Sequence, residues 1–306
     1  MVIHIFAMRT DLRREIEGLA FLLSVSLLWG TSFPLAKIIV SSVGTSQYVA
    51  LRFALSALLL SPYLTYRLLN KRTELTKSIK PGILLGLIYF VGIWLQGLGM
   101  ERTSASNAGF ITSLNILIVY AVELLYYRRK YGHEFALAVI LSIVGMYLMA
   151  GGSYESRIGD LLVLAGAFFW AFHVLAADSF SKRFSILDLV FVQYAITATL
   201  GLALSSQSIL SLNWLEFLAI LLYLATVCSV FVGFLQLEGQ SRTTASRAAL
   251  VYSLEPVFAA AFSYLMLGES LGFVQLVGAA LIVASLIVSL WGIAKAGKDD
   301  KKIERK

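Results

Sequence analysis

TSASNAGFITSLNILIVY at residues 103–120 returns about 140 positions later as TTASRAALVYSLEPVFAA at residues 243–260. Within one residue, the same offset aligns Leu28, Trp29 and Gly30 with Phe169, Trp170 and Ala171. It also aligns Leu51, Arg52, Phe53 and Ala54 with Val192, Gln193, Tyr194 and Ala195. The chain is built twice over, and the duplicated unit lies in a sequence that is almost continuously apolar.

Composition says what surrounds that unit. The 306 residues are 58% hydrophobic and 14% charged, with a mean hydropathy of +0.81. Soluble domains hold about 45–50% apolar and about 25% charged residues. A helix of about 20 apolar residues crosses about 30 Å of hydrocarbon. Runs of that length fall at 18–40, 47–69, 81–100, 104–127, 133–151, 159–180, 187–205, 214–236, 243–267 and 271–293. The expected fold is therefore an all-α polytopic membrane protein of ten transmembrane helices in two five-helix repeats. These occupy 18–151 and 159–293, between a cytoplasmic tail at 1–17 and a basic cytoplasmic tail at 294–306. Five is odd, so two like-folded repeats must enter the membrane in opposite senses. Their pseudo-two-fold axis then lies in the membrane plane, and matching residues surround a midplane cavity.

With the amino terminus in the cytoplasm, twenty Lys and Arg residues fall inside and two, Arg102 and Arg157, outside. Basic residues concentrate on the cytoplasmic side of membrane proteins, so both termini are expected there, in a cell or inner membrane. The net charge of +7 is accounted for by topology and anionic lipid rather than by nucleic acid. The first apolar run is full length and lacks a small-residue cleavage site, so it is read as a retained span. The basic stretch MRTDLRRE opens at Met8, which stands as an alternative start to Met1. Cys228 is the only cysteine, which excludes an intramolecular disulfide and a cysteine metal site.

LLWGTSFPLAK at 27–37, LRF at 51–53, TSASNAG at 103–109 and SLEPVFAAAFSYLMLGESL at 253–271 resemble the EamA-type drug/metabolite transporter superfamily across nearly the whole chain. The resemblance implies ten helices in two inverted repeats, and export of small organic metabolites such as amino acids. The first half departs from the motif, with Ile116 and Arg129 where the second has Pro256 and Glu269. A hinge at Pro256 is therefore not carried over to the first half.

Candidate solute-binding residues follow from depth. Glu255 lies midway along the ninth run, where an acidic side chain costs about 2.5–3.5 kcal/mol to insert and normally faces a cavity. Asn115 is its counterpart. Pro256 frees the carbonyl of Tyr252, which is tolerated where a cavity satisfies it and makes Pro256 a hinge candidate. Lys37, Arg52 and Arg247 lie a few residues from span ends, where long side chains also snorkel. Lys37 or Arg247 is the candidate for a solute carboxylate, and Arg247 aligns with Asn107. His173 titrates near neutrality but is equally a packing histidine. Trp29, Phe33, Tyr89, Trp94, Trp170 and Tyr252 supply aromatic walls, and Gln96 and Gln236 form a further aligned pair. Gly82 and Gly86 on the third run, and Gly278, Ala280 and Ala284 on the tenth, permit close helix approach, within one subunit or across a homodimer.

The implied function is secondary transport of a small organic solute, with proton or ion coupling left open and no cofactor. No phosphate-binding GxxxxGK[ST], zinc-binding HExxH or nucleophilic GxSxG pattern occurs. An intramembrane enzyme acting on a lipid or amphipathic acceptor, or a passive channel or scramblase, stands as the alternative. Single cysteines introduced after replacing Cys228 check the orientation in intact cells. Ser208→Cys should label with an impermeant thiol reagent and Asp299→Cys should not; the opposite pattern overturns the topology.

Overall fold

A computed structural model describes residues 2–128, 131–149, 157–205, 214–270 and 272–303; Arg129 and Ser208, used above, lie outside them. Among the described residues there is no strand. The first half holds α1 Val2–Val43, α2 Thr45–Leu59, α3 Ser61–Asn70, α4 Arg72–Met100, α5 Ala105–Ser113, α6 Asn115–Leu125 and α7 His133–Met149. The second holds α8 Arg157–Ser181, α9 Ile186–Ala203, α10 Leu218–Ala225, a π-helical turn at Thr226–Phe231, α11 Val232–Gln240, α12 Ala245–Tyr252, α13 Glu255–Leu267 and α14 Phe273–Ile303.

Among the described residues, seven stretches are long and apolar enough to cross a membrane: Leu12–Val43, Arg72–Met100, Ala105–Leu125, Ile158–Ser181, Ile186–Ala203, Leu215–Gln240 and Ala245–Leu267. The α2–α3 pair passes the same test jointly but bends by 47°. Two shorter apolar helices, His133–Leu148 and Phe273–Ser289, lie where the sequence has its fifth and tenth apolar runs. Large apolar side chains such as Leu58, Leu125, Tyr147, Phe273 and Ile287 stand exposed around the perimeter. Such a belt suits a hydrocarbon surrounding rather than water.

Packing joins the two halves more than it consolidates either. α4 lies against α8 and α9, α2 against α9, α1 against α11 and α13, and α7 against α14. Two buried apolar cores result, and both draw on both halves. One gathers Phe53, Leu85, Tyr89, Leu189, Tyr194 and Cys228; the other gathers Leu22, Phe110, Ile116, Val232, Tyr252 and Ile282.

Small residues set the closest of these contacts. A Cβ on Gly82 would come 2.7 Å from Val192 Cβ, and one on Gly86 2.8 Å from Ile196 Cβ and 2.9 Å from the Gln193 carbonyl oxygen. The GxxxG pair therefore seats α4 on α9 of the same chain. Likewise Gly278 meets Gly145 within the chain, a Cβ on the latter falling 2.7 Å from the Gly278 carbonyl. Gly86→Ala should push α4 and α9 apart and cost roughly 1–3 kcal/mol, as overpacking does. The check is thermal unfolding in detergent against Leu84→Ala, whose side chain faces outward at 46% exposure; equal melting points for the two variants contradict the contact.

Candidate functional site

Two helical runs stop and restart halfway along their length. α5 ends at Ser113 and α6 begins at Asn115; α12 ends at Tyr252 and α13 begins at Glu255. Proline does not explain both, because Ile116 stands where Pro256 does. The shared feature is a serine. Ser113 Oγ donates to the Gly109 carbonyl at 3.1 Å, and Ser253 Oγ donates to the Leu250 carbonyl at 2.6 Å. Back-bonding of this kind bends helices. The turn then tightens to three-residue bonds, Leu114 N to Ile111 O and Leu254 N to Val251 O. The helical break thus recurs at Leu114 without a proline.

The capping chemistry is matched as well. Ser104 Oγ accepts from Asn107 N and starts α5, and Thr244 Oγ1 accepts from Arg247 N and starts α12. Side-chain acceptors at such positions satisfy amide groups that the first helical turn leaves open.

The breaks bring Asn115 and Glu255, each the first residue of a half-helix, to the wall of one cavity at the seam between the two cores. It measures about 40 Å³, room for a few waters. Trp29, Phe33, Tyr89, Trp170 and Tyr252 line it, with Arg52, Gln96 and Gln236. Trp29 lies 6.3 Å from Trp170 and 5.5 Å from Tyr252 between ring centroids, and Tyr89 meets Trp170 edge-on at 4.8 Å. Glu255 is only 7% exposed, yet no hydrogen bond or ion pair among the described residues engages its carboxylate. Asn115 Oδ1 is buried without a hydrogen-bond partner. Buried polar groups are normally satisfied, and both of these face the cavity unpaired. From there the cavity extends past Ala36 and Met100, toward the end of the bundle where α1 and α4 finish.

Arg52 is the residue whose role the sequence conceals. Its snorkelling alternative is overturned, because the side chain is 2% exposed and turned inward. Nε donates to Ser229 Oγ at 2.8 Å, Nη1 to Tyr48 OH at 2.5 Å and Nη2 to the Cys228 carbonyl at 2.9 Å. That carbonyl lies in the π-helical turn, a feature common at functional sites. A guanidinium has five N–H groups, so donors remain for an anion.

Most other candidates lie elsewhere. Lys37 does not line the cavity; Nζ donates to the Met100 and Thr103 carbonyls and ties α1 to the turn before α5. Lys182 does the same for the Thr243 carbonyl and also pairs with Asp178. Arg247 pairs with Glu15 at the opposite end of the bundle rather than sharing the cavity with Glu255. Asn107 sits in the first turn of α5, away from the cavity. Trp94 stacks on Phe90 and donates to Ser46 Oγ at 3.1 Å. His173 is fully buried behind the wall, with Nε2 2.7 Å from Gln193 Oε1 and its ring edge-on to Tyr89 and Trp170. Gln96 Nε2 bonds Thr112 Oγ1 at 2.9 Å. Among the described residues no group of three or more His, Cys, Asp or Glu could hold a metal ion.

A family model described as the EamA-like transporter family matches twice, at residues 16–151 and 157–291. An uncharacterized transporter of Archaeoglobus fulgidus is 30% identical over 86% of this chain and 82% of its own length. A probable amino-acid metabolite efflux pump of Salmonella typhimurium is 27% identical over 88% of this chain and 93% of its own. A solved crystal structure, 19% identical, superposes with a TM-score of 0.70 over 91% of this chain and 98% of that one, a likeness that carries the fold alone.

Arg52→Lys should leave Ser229 Oγ or the Cys228 carbonyl without its donor. Each buried group so stranded costs roughly 1–3 kcal/mol, so the variant should melt measurably lower in detergent. Unchanged melting would mean that the π-helical turn does not depend on the guanidinium.

Proposed function

This chain belongs to the EamA-like transporter family, and from that premise we propose that it is a secondary transporter exporting small organic solutes through the cavity between its halves. One observation carries the reading: the unpartnered carboxylate of Glu255, buried beside an unpartnered Asn115 Oδ1 in an aromatic-walled cavity that also holds Arg52. A bare carboxylate at mid-membrane is expensive, and a cationic group of the solute, or a proton, relieves that cost. Asn115 opens α6 without a charge of its own, so the partial positive charge at that helix start and the free donors of Arg52 suit an anionic group. The two ends of the site thus match a small zwitterion, in keeping with the name of the Salmonella relative.

On this reading the chain has ten spans in two inverted five-helix repeats, at 18–151 and 159–293, with both termini cytoplasmic. Asn115 and Glu255 face one another across the axis. Alternating access then exchanges which end of the cavity is open, and the solute leaves chemically unchanged, which distinguishes transport from the enzymatic alternative. Exchange of a proton for solute at Glu255 is the coupling this site would support.

Glu255→Gln keeps shape while removing charge and proton exchange. In proteoliposomes, counterflow of labelled amino acids should fall at least tenfold, about 1.4 kcal/mol, and its remaining rate should lose pH dependence. A well-folded variant with wild-type rate and pH profile removes Glu255 from the mechanism.

A further inference from the structure

We propose that Glu269 and Glu123 are the two gate latches of the molecule, each closing one end of the bundle by holding the start of the other half's broken helix. Glu269, just beyond α13, accepts from the backbone N–H groups of Ala105 and Ser106, both at 3.3 Å, and from the Ser106 hydroxyl. Glu123, near the end of α6, accepts from the Ser246 N–H at 3.1 Å and from the Ser246 and Tyr131 hydroxyls. Ser106 and Ser246 occupy matching positions in the duplicated segments. Both contacts cross between halves, and they lie at opposite ends of the same two broken helices, with the cavity between them.

The chemistry suits a reversible closure. A carboxylate at a helix start satisfies open N–H groups and the dipole together, through charge-assisted bonds that water can replace. The contact of α4 with α9 is of another kind: Gly82 and Gly86 sit directly against Val192, Ile196 and the Gln193 backbone, with the uncharged Thr197 hydroxyl donating to the Gly86 carbonyl at 3.4 Å. The breaks at Leu114 and Leu254 separate each latched end from the rest of its helical run, so one end can swing while the other stays fixed. Each gate has its own placement. Gly268 ends α13 at a φ of 70°, open to glycine and strained for most residues, and turns the chain so that Glu269 reaches α5. Glu123 is 1% exposed and points out of α6 directly. Both latches are made here, which agrees with the small cavity; opening an end means withdrawing its carboxylate.

The proposal rests on the transport reading, and side-selective access tests it independently of flux. The full chain carries Cys228→Ser and Ala36→Cys, a reporter in the cavity wall, in sealed vesicles of both orientations, and is labelled with an impermeant thiol reagent. Glu269→Gln should speed labelling several-fold from the Glu269 face, and Glu123→Gln several-fold from the opposite face. Ser106→Ala and Ser246→Ala should act in the same directions more weakly, and they carry the test where a Gln variant does not accumulate. Unchanged labelling, or both carboxylate variants opening the same face, overturns the latches. Amino-acid counterflow in the same vesicles separates the two ideas. Normal flux with unmoved accessibility sinks the latches alone; side-selective accessibility with no flux of any solute keeps them and removes the transporter.

Discussion

Hydrocarbon offers no hydrogen bonds, so every backbone group that leaves its helix inside the membrane must find a partner in the protein or in cavity water. That constraint governs this molecule, because two of its helical runs break at their midpoints. Ser113 and Ser253 bend the runs there, by turning their hydroxyls onto carbonyls of the preceding turn. Asn115 and Glu255 answer it by opening toward a cavity where water, a proton or a solute can stand in. A continuous helix would need neither the cavity nor the polar residues.

The same constraint explains why the cations sort as they do. Lys37 and Lys182 each reach a carbonyl at the turn before a broken helix, Thr103 in one half and Thr243 in the other. They complete the backbone there. Arg52 completes a different irregularity, the carbonyl of Cys228 inside the π-helical turn. It is held by three protein acceptors and still faces the cavity. One cation therefore both fixes an irregular helix and charges the wall of the site.

Much of this was legible in the residues. The duplication located Asn115, Glu255, Trp29 and Trp170 at the cavity wall, because matching depths in the two segments put polar and aromatic groups at one level. The all-helical membrane architecture followed from apolar length. What could not be read was pairing over long separations. Arg52 finds Ser229 and Cys228 through a π-helical turn that no local pattern announces. The break at Leu114 has no proline to mark it, and its signal is the Ser-Leu pair common to both halves. Glu123 hides behind a shift of register: the position aligned with Glu269 is Arg129, and the carboxylate that serves the first half comes six residues earlier.

The interlocking of the halves also bears on how the chain is made. Two of the three acceptors that hold Arg52 lie 177 and 176 residues further along, so only Tyr48, four residues earlier, exists when the second apolar run leaves the ribosome. At about 5–20 residues per second of synthesis, the guanidinium waits roughly 9–35 seconds for them. During that interval it needs water, lipid headgroups or the insertion machinery as a temporary partner. Biogenesis of the first half is thus a period of borrowed solvation that ends only when the eighth run is delivered.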